Sequence, residues 1–462
     1  MTQSGQSIGN GEPESAVFWP AGKSSYLKLL LRYPILLLAF GPPVLKSHYL
    51  PVPADIDPIR PHFDYWRIFQ VALPSLVAAR AAYRLAFVHP IVIPRPSRNI
   101  LGLAFVLCAL FAVSCVYSPR PLVMIGFAFL YFLNLICVLE FLIDVYRNPP
   151  DWMQFVFGLR FICLALFGLL LLVLPFKPQL AIITTGYGIR LLGGGICSVY
   201  IVCPVIAIIS ACSFLHSLES KILSAFFFLA STIALIASQW RGAEISLILV
   251  LIVLGIEWAR TGKHLVIKIS MIAVTAVLLT GLVLAMFGSH RVWVAVSHNQ
   301  IGGDLLGGSG RVVQWKALLQ YSVDHPLGMG YVARPERPVK GGPWEQYKVE
   351  GIDNGYLEVL GVAGWLALAV YAMILVKTVA LGWSCANKRS FLSVPNNAVT
   401  SVSLQCTMLL FMYCFVEQME NSEFVIPLRQ SFYIQYIIIA IILGQSAAML
   451  SAAHSADARL TK

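Results

Sequence analysis

Guanidinium groups are the main chemical resource of this sequence. Arg311 lies in Gly308-Ser-Gly-Arg311, followed by Val-Val-Gln-Trp315. Ser309 is a suitable N-cap for a helix running through Tyr321 and closed by His325-Pro326. An arginine on the first turn of a helix sits beside free N–H groups at the positive end of the dipole, where phosphate oxygens are well held. Arg311, Trp315 and Leu318 recur at helical spacing and share a face. The same pattern describes an amphipathic surface helix on which Arg311 is simply hydrated, so both readings stand. Arg241 lies in the short turn Ser238-Gln-Trp-Arg-Gly-Ala-Glu244 between two apolar runs. An ionisable group at membrane depth marks a site or pairs with a neighbour. Arg241 therefore either faces an anionic headgroup or is neutralised by Glu244 three residues on. Arg190, beside Gly193 to Gly195, is a third candidate for a phosphate contact. Arg334 and Arg337, with Trp315 and Asn354, complete the candidate substrate-binding set.

The candidate base is Asp353, in Gly351-Ile-Asp-Asn-Gly-Tyr-Leu-Glu358. A carboxylate at a helix start beneath a basic loop could take a proton from a sugar hydroxyl. It could equally be the cap of a helix beginning near Asn354. Glu358, inside that helix, reads as a partner for a membrane arginine, and His325 as the residue that ends the preceding helix. Asp55-Ile-Asp57 has the spacing of a cation site but sits between prolines, and no metal is expected. The cysteines lie mostly inside apolar runs and form no CxxC pair, which points to packing rather than to zinc or a disulfide framework. Walker A, GxGxxG, HExxH, GxSxG and kinase patterns are missing. ATP-driven transport and hydrolase chemistry find no support, and no cofactor is expected.

What must position these groups is a membrane bundle. The chain has 462 residues, is 58% hydrophobic and only 12% charged; a soluble chain would carry about a quarter charged residues. Apolar runs near the spanning length of roughly 20 residues recur throughout. They are Leu27–Val44, Trp66–Phe87, 99–117, 121–143, 153–175, 198–215, 222–239, 243–259, 264–287, 353–377, 402–418 and 432–450. The expected fold is all-α and polytopic, with about 12 transmembrane helices. One large polar loop, 288–352, falls between the ninth and tenth of them and carries short helices. Residues 1–26 read as a disordered cytoplasmic tail, 27–287 and 353–450 as the membrane region, and 451–462 as a second cytoplasmic tail. The Gly-rich stretch 185–195 reads as irregular or re-entrant, tolerable only where protein or a wet cavity surrounds it. The net charge is +11, but the positives are scattered through loops, and no nucleic-acid motif appears. Placing the N-terminus inside puts Arg95, Arg98, Arg147, Lys221, Arg260 and Lys263 on the cytoplasmic side and 288–352 outside. A basic external loop that resists this bias suggests an anionic substrate over which its arginines are held.

At these residues the chain resembles the bacterial O-antigen polymerase and O-antigen ligase superfamily. The resemblance rests on the short turn with Arg241, on Ser-Gly-Arg311 with Trp315 and then His325-Pro-Leu-Gly-Met-Gly330, and on Asp353-Asn-Gly-Tyr-Leu357 leading to Gly361 and Gly364. It covers roughly residues 180–380. It implies an inverting, metal-independent membrane glycosyltransferase acting on polyprenyl-diphosphate-linked oligosaccharide. The reaction would take place at the outer face of the bacterial inner membrane, with the large loop in the periplasm. Arg241 and Arg311 would hold the diphosphate. Ligases place a histidine near the position of Asp353, and the aspartate here looks more like the polymerases, including those for exopolysaccharide. A chain-length regulator and a flippase are the implied partners, beside membrane lipid. The alternatives are a ligase moving finished glycan to a lipid or protein acceptor, and a non-catalytic exporter or flippase.

Overall fold

The computed structural model describes residues 24–40, 65–87, 93–118, 121–147, 150–176, 178, 182–185, 188–191, 197–238, 240–260, 311–328, 330, 354–386, 395–419 and 430–460. Among these the chain is helical apart from one small hairpin. The helices are α1 Ser24–Arg32, α2 Tyr65–Ala86, α3 Arg95–Val113, α4 Pro121–Arg147, α5 Trp152–Val173, α6 Val199–His216, α7 Lys221–Ser238 and α8 Arg241–Arg260. They continue with α9 Arg311–Asp324, α10 Gly355–Ala386, α11 Pro395–Glu417 and α12 Gln430–Leu460. Seven are long and apolar enough to cross a membrane, and Val402–Glu417 is a shorter apolar helix. The run 264–287 lies outside the described residues.

Burial follows sequence in a way suited to lipid. α12 forms the centre, with 89% of its most apolar stretch enclosed. Its Gln435, Gln445 and Ser446 are buried among neighbours, not turned outward. α7 is peripheral: Ile222, Phe226, Leu229 and Ile233 form an exposed stripe at helical spacing, an apolar face that hydrocarbon would cover. The cysteines are free, and all but Cys115 are buried, as packing residues should be.

Three expectations need correcting. The run Leu27–Val44 is not one helix: α1 stops at Arg32, and Pro34 begins a 3₁₀ segment, Pro34–Phe40. Proline has no N–H to continue the ladder and clashes with the preceding turn. The stretch 185–195, expected to be irregular, overlaps two short antiparallel strands, β1 Ile182–Thr185 and β2 Gly188–Leu191, with Ile183 opposite Arg190.

The expected span 353–377 is a folded helix. In α10, Gly364 has φ 80° and ψ −174°, which no α-helix contains. Tyr356 and Tyr371 lie on either side of it, yet their ring centroids are 6.2 Å apart. Fifteen residues of straight helix would rise about 22 Å, more than two tyrosine side chains can bridge. α10 therefore doubles back at Gly364. A short limb, 355–363, lies against the long limb, 365–386, and only the long limb has membrane-spanning length.

A break of this kind leaves N–H and C=O groups without helical partners, and an apolar setting makes that expensive. The segment after α9 supplies them. Pro326 O accepts from Trp365 N at 3.0 Å, and Gly330 N donates to Val362 O at 2.9 Å. The Trp365 indole donates to Ser322 O at 3.1 Å, and the Tyr117 hydroxyl to Leu327 O at 2.5 Å. The contact admits no side chain: a Cβ on Gly328, itself at φ 80°, would lie 2.7 Å from Gly364 N. Gly328 of His325-Pro-Leu-Gly-Met-Gly330 is thus explained by the approach of the two backbones, and Gly330, also at positive φ, by the approach of Ser118.

Candidate functional site

Three consecutive residues at the end of α11 hold two helix starts, that of α8 and that of the short limb of α10. Glu417 is fully buried. Its carboxylate accepts from the Trp240 indole at 2.8 Å and from the Ser246 hydroxyl at 3.4 Å. Trp240 immediately precedes Arg241, the first residue of α8, and Ser246 lies on the second turn. Trp240 also stacks on Tyr200, with centroids 4.5 Å apart and planes 20° apart. The Tyr200 carbonyl accepts from the Tyr413 hydroxyl, one turn before Glu417 on α11. The start of α8 is therefore held by hydrogen bonds and by stacking.

The next two residues hold the start of the short limb of α10. Gln418 O accepts from Gly355 N at 2.8 Å, and Met419 O accepts from Asn354 Nδ2 at 2.9 Å. Asn354 Oδ1 takes the N–H of Leu357 at 3.0 Å, so the N-cap is Asn354 and not Asp353, one residue later than expected. The cap must lie two or three residues before the N–H it satisfies. The helix starts at Gly355, which leaves that position to Asn354. The Gln418 side chain reaches the other limb, accepting from the Tyr371 hydroxyl, which is also 3.4 Å from Gln435 Nε2. Tyr356 donates to Phe415 O at 2.8 Å. One helix end thus fixes the start of α8 and both limbs of α10.

The candidate residues stand as follows. Arg311 is the first residue of α9, on the first turn as expected, whereas Arg241, expected in the turn before a helix, is the first residue of α8. Arg190 is in β2. Trp315 is half-buried, and its indole nitrogen has no partner among the described residues. Leu318, on the same face, is buried. Asn354 is buried with both ends of its amide engaged by the fold. Asp353, Arg334, Arg337, Asp55, Asp57 and Ser309 lie outside the described residues. His325 does end α9: its N–H bonds to Tyr321 O, and its ring stacks on Tyr321 with centroids 3.9 Å apart.

Sequence reasoning passed over Glu417, Gln418, Tyr371 and Gln435. For Glu417 a signal existed, an acid closing an apolar run, which in a membrane chain is a candidate by default. No comparable pattern marks the other three.

Residues 225–372 match the family model described as O-antigen ligase. The match supports a relationship of this segment to the O-antigen ligase/polymerase superfamily. No curated protein matches the chain. The superfamily segment runs from α7 through the break in α10, so it contains Trp240, Arg241, α9 and the folded limb. It supports a glycan-processing function in a multi-pass membrane protein. Glu417, Gln418 and Met419, which hold its two helix starts, lie beyond it.

Proposed function

We propose that the chain is a polysaccharide polymerase, acting on O-antigen or exopolysaccharide. It transfers a glycan from a polyprenyl diphosphate carrier to a lipid-linked repeat unit at the outer face of the inner membrane. The observation that carries this reading is the clamp at 417–419. It anchors the helix start bearing Arg241 and the helix start that directly follows Asp353. In the proposed step a hydroxyl oxygen of the acceptor attacks the anomeric carbon from the face opposite the carrier. The bond between that carbon and the diphosphate oxygen breaks, with inversion. The hydroxyl proton passes to the Asp353 carboxylate, and negative charge develops on the departing diphosphate. Arg241 and Arg311 stabilise that charge, with Arg190, Arg334 and Arg337 as further contacts and Trp315 as a platform beside Arg311. Fixed guanidinium donors in a site with little water are worth far more than in bulk solvent.

Loss of one such donor costs about 10²–10³ in rate. Arg241→Ala and Arg311→Ala should each abolish long-chain polysaccharide while the protein stays in the membrane at normal abundance. Full-length polymer in both variants overturns the assignment. A ligase is the second reading, favoured by the description of the matching family model. The lipid-linked pool separates the two, because loss of a polymerase leaves short units on the carrier and loss of a ligase leaves long chains.

A further inference from the structure

We infer that Glu417 is a positioning residue for Arg241, acting through Trp240. This rests on the proposed role of Arg241 as a diphosphate contact. A carboxylate with no exposure is expensive to bury, and nothing in the reaction described above uses it. Its two oxygens reach two points at the start of α8: Oε1 takes the Trp240 indole N–H at 2.8 Å and Oε2 the Ser246 hydroxyl at 3.4 Å. These points flank Arg241, one residue before it and five residues after. A carboxylate is the side chain that offers two acceptors at this reach, and the positive end of α8 favours it. Stacking of Trp240 on Tyr200 orients the plane of the indole, and the hydrogen bond to Glu417 orients its N–H edge. Because Gln418 and Met419 hold the short limb of α10, a change at Glu417 would alter how the start of α8 sits against the start of that limb and not merely against the bundle. A displacement of about 1 Å in a positioning group can cost 10²-fold in rate.

The experiment is a double-mutant cycle on the full-length protein, with polymer formation from lipid-linked repeat units as the readout and folded protein quantified in the membrane. Trp240→Phe keeps the ring on Tyr200 but removes the N–H donor. Glu417→Leu removes the acceptor, whereas Glu417→Gln can still accept from Trp240 and donate to Ser246. Trp240→Phe and Glu417→Leu should each lower turnover about 10²-fold. The double variant should be no worse than either single change, and Glu417→Gln should retain most of the wild-type rate. The role is overturned if the two losses multiply, or if Glu417→Gln is as impaired as Glu417→Leu. If Arg241→Ala is inactive while Trp240→Phe and Glu417→Leu turn over normally, only the positioning role falls. If Arg241→Ala is fully active, the diphosphate reading falls first and takes this one with it.

Discussion

The two ends of the bundle solve the same problem differently. At the end opposite α9, charge is met by charge across helices. Arg84 of α2 bonds Glu140, and also Asp144 at 2.8 Å, both on α4. Arg160, buried in α5, grips the Glu219 carboxylate of the α6–α7 turn with two nitrogens, one at 2.6 Å. Phe157 and Phe227 cover its guanidinium at 4.7 and 5.6 Å. At the α9 end the fastening is done by carbonyls, amides, tyrosine hydroxyls and an indole around Glu417. The backbone there is also irregular, broken at Gly364 and plugged by the segment 326–330. Ion pairs suit regular helices that need only be held together. Directional neutral bonds suit backbone groups that have lost their helical partners. The contrast marks one end as a clasp and the other as the end that carries the candidate site.

That contrast can be broken by mutation. The largest effect should come from Arg160→Leu, which leaves the half-buried Glu219 carboxylate without its guanidinium. Removing one partner of a buried pair costs about 3–5 kcal/mol, read as a lower thermal transition in detergent. Replacing both residues with leucine should restore much of it. Turnover per folded molecule should be unchanged, because this end holds none of the candidate site. Gly364→Ala should behave the other way. Its positive φ imposes strain of about 1–3 kcal/mol, and the new Cβ would meet the Pro326 carbonyl. The stability loss should be smaller than for Arg160→Leu, but turnover per folded molecule should collapse as the segment after α9 is displaced. Gly102→Ala in α3, where a Cβ meets nothing within 4 Å, is the control and should be silent. Equal turnover losses in Arg160→Leu and Gly364→Ala would erase the distinction between the two ends.

The clasp end was the less legible in sequence and the bundle the more legible. Spans such as 121–143, 153–175 and 198–215 are apolar over the thickness of a bilayer, and the helices α4, α5 and α6 match them within a few residues. A helix through Tyr321 with Arg311 on its first turn, and His325 as its terminator, follow from local capping rules that need no tertiary information; the helix runs three residues further, to Asp324. The fold-back of α10 was hidden because both limbs are apolar and helical in propensity. Only a single Gly364, one of several glycines in the run, carries the break. The clamp at 417–419 was hidden for another reason. Its partners Trp240 and Asn354 are 177 and 65 residues away in sequence, and a main-chain carbonyl acceptor leaves no mark on residue identity. The pairs Arg84 with Glu140 and Arg160 with Glu219 likewise join helices whose adjacency no local pattern encodes.

The smallest effect is a pH dependence that should be confined to the clasp. Burial works to raise the Glu219 carboxyl, but the Arg160 guanidinium and the hydroxyls of Ser224 and Ser213 outweigh it and leave the group below its ordinary value. A carboxyl whose folded value is depressed contributes stability above its unfolded value and loses that contribution as pH falls through the folded one. The thermal transition should therefore be flat from neutral pH down to the ordinary glutamate range near 4.5 and decline below it. In Arg160→Leu, or with both residues replaced, this acid-side decline should be reduced, because the interaction that depressed Glu219 is gone. Glu417→Gln, at the other end, should leave the decline in place. If Glu417→Gln removed it and the Arg160 variants did not, the acid-sensitive fastening would belong to the α9 end, and the division between clasp and site would have to be redrawn.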